Sequence, residues 1–316
     1  MHGEYRDQVE PVSNQGWDER VMVVRCGTLV NVFIVVAERY VVLVDTLLNP
    51  RTGQALLEIA REHIGARRQL LVVNTHADWD HAWGNQVFVG PDALQPALVI
   101  ATHACADRLR SAEEAQKLVE MRSAQPERFA SVRLVPPTIC FDERLTIDGG
   151  DLTIELFPTP GHTHDHLGVF IPEIGLLLAG DAAEEPFPFI GPGDGIIALR
   201  RSLARMTDLA PAHVLYCHAP VGTGPDLLYR NIAYFDELEQ CCRVALARGV
   251  SGQPAVDTDV EALVGYSFAE AIPPGLDLAP DWAEDYRNAH RDAIRAMLQY
   301  CAEHLGPYIG WLLRTS

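Results

Sequence analysis

Short runs of β-branched and aliphatic residues recur along the first two thirds of the chain, and longer amphipathic stretches dominate the last third. Val21–Arg25, Val30–Val36 and Tyr40–Leu47 read as consecutive strands of a meander. Thr52–Ile64 carries Leu56, Ile59, Ala60 and Ile64 at helical spacing, and Gly65 closes it. Leu70–Asn74 and Leu98–Ala101 are short apolar runs of buried-strand type. Ser111 followed by Glu114 has the form of a capping box and starts a helix over 111–122. Residues 135–157 return to hairpin character around the turn Asp148-Gly149-Gly150, and Leu167–Ile171 and Leu176–Leu178 continue the sheet. A helix over 196–208 leads to a strand over 213–217. Beyond it, Leu228, Ile232, Phe235, Leu238 and Cys242 mark a helix over 227–248. Tyr286, Ala289, Ala293, Met297 and Cys301 mark another over 282–305, with Asp281 as its N-cap. Two strand-rich halves, each ending in helices, lack the even strand–helix alternation of a doubly wound sheet. The last two helices either cover one sheet face or cap a cleft.

Chemistry gathers where these strands end. Asn74-Thr75-His76-Ala77-Asp78-Trp79-Asp80-His81 packs two imidazoles and two carboxylates into one loop after an apolar run. Without a cation such a cluster would repel, titrate abnormally or bury polar atoms without partners. The alternative is a polar loop whose carboxylates cap a helix. Three later runs repeat the arrangement: Leu152–Phe157 leads through Pro160-Gly161 to His162, Gly175–Gly180 leads to Asp181, and His213–Cys217 leads to His218. Strand ends on one edge converge, so seven ligand-type side chains would share one cleft.

Those four blocks, in that order, resemble the signature of the metallo-β-lactamase superfamily. That signature is a His-x-His-x-Asp-His loop, a His after a Pro-Gly turn, an Asp after a Gly and a late His. The similarity spans residues 20–220, and Asp45 resembles the family's early structural Asp. One position departs from it: Asp78 stands where the second His is expected. The resemblance implies an α/β fold, an αββα sandwich over residues 1–225, with the C-terminal helices of 226–316 packed on it. It also implies two divalent ions. His76, Asp78 and His162 would hold the first, Asp80, His81 and His218 the second, and Asp181 would bridge them. Zinc is the expected metal, and Asp78, an anionic oxygen donor, also admits iron or manganese. Metal lowers the pKa of bound water towards about 7, so no serine nucleophile is needed; no G-x-S-x-G elbow occurs. Asp80 would orient the attacking hydroxide and pass a proton to the leaving group. The expected activity is hydrolysis of an ester, lactone, thioester or amide in a small molecule. A non-haem di-iron protein handling dioxygen or nitric oxide is the alternative, since di-iron members replace the same His by a carboxylate. Those members generally carry a flavin domain, and nothing after residue 220 resembles one. A binding protein on a degenerate site is the third reading.

Charge narrows the partners. Lys and Arg total 25 against 43 Asp and Glu, a net charge of −18, which repels nucleic-acid backbones. The first residues have no apolar segment of signal type, and no apolar run is long enough to span a bilayer, so a cytoplasmic location and no membrane partner are expected. Seven cysteines without a C-x-x-C pair read as reduced thiols. Cys241-Cys242 are expected in a helix, one facing the core. Cys217 is a poorer ligand candidate than His218, because alternate strand residues face opposite ways. Trp79 and Trp83 are expected to pack, and Glu184–Phe189 to form a surface loop or a cleft rim. His166 could support the ligands from behind, and His164 with Asp165 reads as a polar turn. His103 is left unassigned, and His63, His290 and His304 are expected to face solvent.

Overall fold

The computed structural model describes residues 7–304 except 277 and 279. Two sheets face each other. The first has the spatial order of its sequence: β1 (Val9–Val12), β2 (Val21–Cys26), β3 (Val30–Val36), β4 (Tyr40–Val44), β5 (Gln69–Val73), β6 (Leu98–Thr102) and β7 (Ile139–Phe141). The second runs β12 (His213–Tyr216), β11 (Leu176–Gly180), β10 (Leu167–Ile171), β9 (Thr153–Pro158) and β8 (Leu145–Asp148).

The meander expected over 21–47 is β2–β4, antiparallel throughout. The Val9–Val12 edge strand has no apolar run to announce it, and Pro11 is tolerated at such an edge. From β4 to β7 every pairing is parallel. The crossovers are α1 (Pro50–Ile64) and, before β7, α2 (His103–Arg110), α3 (Ala112–Ala124) and α4 (Pro126–Phe129). The helices expected over 52–64 and 111–122 therefore lie between strands of the first half, and β4 to β7 form a parallel run that the meander alone does not announce. The stretch 135–157 is not one hairpin unit. Residues 139–141 pair with β6, and only β8 and β9 form the hairpin around Asp148.

Alternation along the second sheet explains its two-sided burial. Leu176, Leu178, Ile154 and Leu156 join the core between the sheets, whereas Leu177, Ala179 and Phe157 face outward. That outer face is covered by α5 (Gly195–Asp208), α6 (Asp226–Ala247) and α9 (Pro280–His304), through Leu199, Leu203, Phe235, Leu238, Ile294 and Met297. The four layers are thus helix, sheet, sheet, helix. Because α9 starts at Pro280, Asp281 lies inside its first turn and is not its N-cap; Leu305, the expected helix end, lies outside the described residues. His290 of α9, expected to face solvent, is buried: it accepts a hydrogen bond from the Tyr234 hydroxyl at 2.9 Å and donates to the Tyr266 carbonyl at 3.1 Å. The hydroxyl partner was invisible to a period count along one helix. No helix among the described residues is long and apolar enough to cross a membrane.

Candidate metal centre

Seven side chains from the two sheets meet at one end of the sandwich. The loop after β5 brings His76, Asp78, Asp80 and His81, and the loops after β9, β11 and β12 bring His162, Asp181 and His218. Two glycines permit the close approach. A Cβ on Gly84 would overlap the Thr46 carbonyl, and one on Gly161, whose φ is +140°, would overlap the backbone of Leu199.

Each of the four imidazoles has its Nδ1 placed on an acceptor oxygen. His81 Nδ1 donates to Asp45 Oδ2 at 2.9 Å, His218 to the Leu29 carbonyl at 2.8 Å, and His162 to the Phe189 carbonyl at 3.3 Å. His76 Nδ1 lies 2.9 Å from the Thr75 hydroxyl, which itself donates to Asp45 Oδ2 at 2.7 Å. These contacts favour the tautomer that leaves Nε2 as a lone pair facing the centre. Asp45 adopts a left-handed backbone (φ 72°) and accepts the Thr75 amide as well, so one buried carboxylate orients two histidines.

Asp181 Oδ2 lies 3.5 Å from His76 Nε2, 3.1 Å from His81, 3.6 Å from His162 and 3.3 Å from His218. Asp78 Oδ2 is 3.3 Å from the Nε2 of both His76 and His162, and Asp80 Oδ2 is 3.5 Å from that of His218. Donors tetrahedrally arranged around an ion at 2.0–2.1 Å stand roughly 3.3 Å apart. His76, Asp78 and His162 form one group with ligand spacing, Asp80, His81 and His218 another, and His76, His81 and Asp181 a third between them. His76 Nε2, His81 Nε2 and Asp181 Oδ1 are buried without a hydrogen-bond partner. Such orphaned atoms are costly unless a cation meets them, so the donor set fits divalent metal.

The electrostatics agree. Burial disfavours the charged imidazoles, but it is outweighed. Asp78, Asp181 and Glu184 push His162 up to about 9, and Asp181, Glu184 and Asp80 push His218 up to about 10. Burial likewise opposes ionisation of Asp181, yet the surrounding His81, His218 and His76 hold it well below the carboxylate range. In metal-free protein, protons occupy the place of cations.

Further side chains surround these seven. Asp165 is buried: its Oδ2 accepts the Ala77 amide at 2.8 Å, so it is more than a polar turn. His166 supports the centre as expected, its Nε2 accepting the Asp181 amide at 3.0 Å. Trp83 packs in the core, and Trp79, partly buried against that core and edge-on to Phe129, also lines the cleft. The Cys217 thiol lies within 4.8 Å of a carboxylate oxygen of Asp45 and a ring nitrogen of His81. Glu184 belongs to the cleft: Oε2 accepts the Tyr286 hydroxyl at 3.0 Å, and Oε1 stands 3.5 Å from His162 Nδ1. Burial, with Asp181 nearby, pushes Glu184 up to about 7. Arg108 of α2 donates to Asp78 Oδ1, and Lys117 of α3 lies 3.4 Å from the same oxygen. The cleft over the centre holds about 490 Å³ and is walled by Leu29, Trp79, Phe189 and Trp282. The N-terminal half of α9 thus lines the cleft, while its C-terminal half helps cover the second sheet, so both roles weighed for the last helices apply. His103 sits exposed at the start of α2, beside Asp142.

Residues 27–218 match the family model of the metallo-beta-lactamase superfamily, and the chain belongs to that superfamily. No curated protein sequence matches it. Among solved structures, a beta-lactamase domain protein from Burkholderia ambifaria shares the fold at TM-score 0.63 and 16% identity, over 94% of this chain and 88% of its own. A stereoselective inverting sec-alkylsulfatase from Pseudomonas sp. has TM-score 0.61 and 16% identity, over 95% of this chain and 51% of its own. A metallo-beta-lactamase from Pontibacter korlensis has TM-score 0.53 and 18% identity, over 72% of this chain and 98% of its own. Coverage of 94% or 95% cannot be reached without the helices that follow residue 226.

Proposed function

We propose that this protein is a binuclear metal-dependent hydrolase of small-molecule esters, lactones, thioesters or amides. The observation that supports it most is the convergence of four Nε2 atoms on one oxygen of Asp181, with buried donors left unpartnered around it. In this reading His76, Asp78 and His162 hold one ion, Asp80, His81 and His218 the other, and Asp181 lies between them. A bound pair of divalent ions supplies a nucleophilic hydroxide at neutral pH and polarises the scissile carbonyl.

The chain's own groups do the rest. Asp45 and Thr75 orient His76 and His81, and the Leu29 and Phe189 carbonyls orient His218 and His162. Asp80, which lines the cleft, would orient the nucleophile and carry its proton to the leaving group. Trp79, Phe189 and Trp282 give an apolar wall against which an acyl or aryl group would pack. Zinc is the favoured metal. A non-haem di-iron centre is the second reading, and its specific support is the carboxylate of Asp78 facing two imidazoles.

Protein purified without added metal should carry close to two transition-metal ions per chain by elemental analysis, with zinc predominating. A folded protein that neither holds nor takes up zinc, manganese or iron overturns the proposal, and two irons with a visible charge-transfer band favour the second reading.

A further inference from the structure

The oxygen of Asp78 that does not face the histidines is already occupied. Arg108 donates to Oδ1, and Lys117 stands 3.4 Å from it, while Oδ2 alone faces His76 and His162. Arg108 is largely buried, with 18% of its side chain exposed, and its guanidinium has two further acidic neighbours. It donates to Asp165 Oδ1 at 3.2 Å, and its Nε lies 3.4 Å from Glu114 Oε2. Both carry the contact back to the ligand loop, Asp165 through the Ala77 amide and Glu114 through the Trp83 indole at 3.2 Å. One guanidinium therefore braces the loop at residues 77, 78 and 83.

We propose that Asp78 and Arg108 act as one unit in place of the histidine expected at position 78, with Arg108 as the positioning residue that sets metal preference. The inference rests on the binuclear reading above. A free carboxylate differs from an imidazole in two ways: it brings a full negative charge, and it can chelate through both oxygens. Both properties favour harder ions over zinc. Arg108 removes the second by occupying Oδ1, and it reduces the first by sharing that oxygen's charge in a charge-assisted hydrogen bond. Lys117 adds a second cation on the same side. What remains towards the ion is a single oxygen with reduced donor charge, closer in behaviour to the neutral nitrogen it replaces. Asp78 by itself would tilt the site towards iron or manganese; the pair keeps zinc competitive.

Position 78 consequently does not stand alone. A histidine placed there would face Arg108 and Lys117 with no carboxylate between them, so restoring the family signature by Asp78→His should damage the first ion's site. Removing the guanidinium at the same time should repair it.

The test is competition between equal free zinc and manganese, with bound metal counted per chain. It compares wild type, Arg108→Met, Asp78→His and the double variant Asp78→His/Arg108→Met. Arg108→Met should hold two ions but shift one of them towards manganese by roughly tenfold or more. In the cobalt-substituted protein, this variant should also change the visible d–d spectrum as Asp78 becomes free to chelate. Asp78→His should bind one ion tightly and the other weakly, and the double variant should regain two zinc ions. Arg108→Lys should keep the wild-type ratio, and Lys117→Met should move it part of the way towards manganese. Lys117→Met decides the matter if Arg108→Met fails to fold. Two bound ions with a zinc-to-manganese ratio indifferent to every change at Arg108 and Lys117 overturn the proposal. So does an Asp78→His protein that binds both zinc ions as tightly as the double variant. A wild type that binds no metal would instead overturn the binuclear reading itself.

Discussion

Asp181 Oδ2 is approached by four imidazoles, and no other oxygen among the described residues has that position. Loss of its carboxylate removes a donor from both proposed ion positions, whereas loss of one histidine removes a donor from one. Asp181→Ala should therefore lower the affinity for both ions together and cut turnover by at least roughly 100-fold. His162→Ala should spare the ion proposed at Asp80, His81 and His218. Metal content and hydrolysis rates of the two variants check this, and an Asp181→Ala protein with two ions and near-normal turnover removes Asp181 from the centre. Of the residues that meet at this site, those marked by their local sequence were legible. His76 to His81 form a local pattern, and His162, Asp181 and His218 each end an apolar run. The contacts of Arg108 with Asp78 and of Tyr286 with Glu184 were not legible, because they join residues 30 and 102 positions apart and leave no mark in the local sequence.

At the scale of elements, helical spacing located α6 and α9 to within two residues at their starts, since an apolar stripe is a property of the helix itself. Which sheet a strand joins is a property of two distant segments. That is why β7 was read with β8 and β9 when its pairing is with β6. The same limit hid the link between α9 and the centre, the hydrogen bond from Tyr286 to buried Glu184. Tyr286→Phe would leave both oxygens of Glu184 without a hydrogen-bond donor in a site that water reaches poorly. We expect a loss of about 1–3 kcal/mol in denaturant unfolding. Substrate affinity should change as well, because α9 lines the cleft. An unchanged unfolding midpoint would mean that another donor takes the hydroxyl's place.

For the molecule as a whole, the centre makes the stability of the metal-free form depend on pH. His162 and His218 titrate at about 9 and about 10 in the fold, above the ordinary 6.5. Their contribution is fully present below pH 6.5 and is lost as pH rises through 9 and 10. Asp78 and Asp181 are depressed below 3.8, so their contribution is present above that value and is lost as pH falls through their folded values. Chelated protein should therefore melt at a lower temperature at pH 10 than at pH 6.5, and loading with zinc should flatten that difference. Melting curves at pH 6.5, 8 and 10, with and without chelator, test it; a chelated protein that grows more stable towards pH 10 contradicts the assignment.

The donors also come from opposite sides of the sandwich, His76 to His81 from the sheet of β5 and His162, Asp181 and His218 from the sheet of β9, β11 and β12. The core between those sheets is apolar, and hydrogen bonds from the Asn31 amide to the Cys217 carbonyl and from the Leu167 amide to the Thr75 carbonyl join its two sides. Ions gripped from both sides would work as further rivets through the two layers. The catalytic machinery and the mechanical fastening of the protein would then be the same few atoms. A chelator that stops turnover would also loosen the join between the layers.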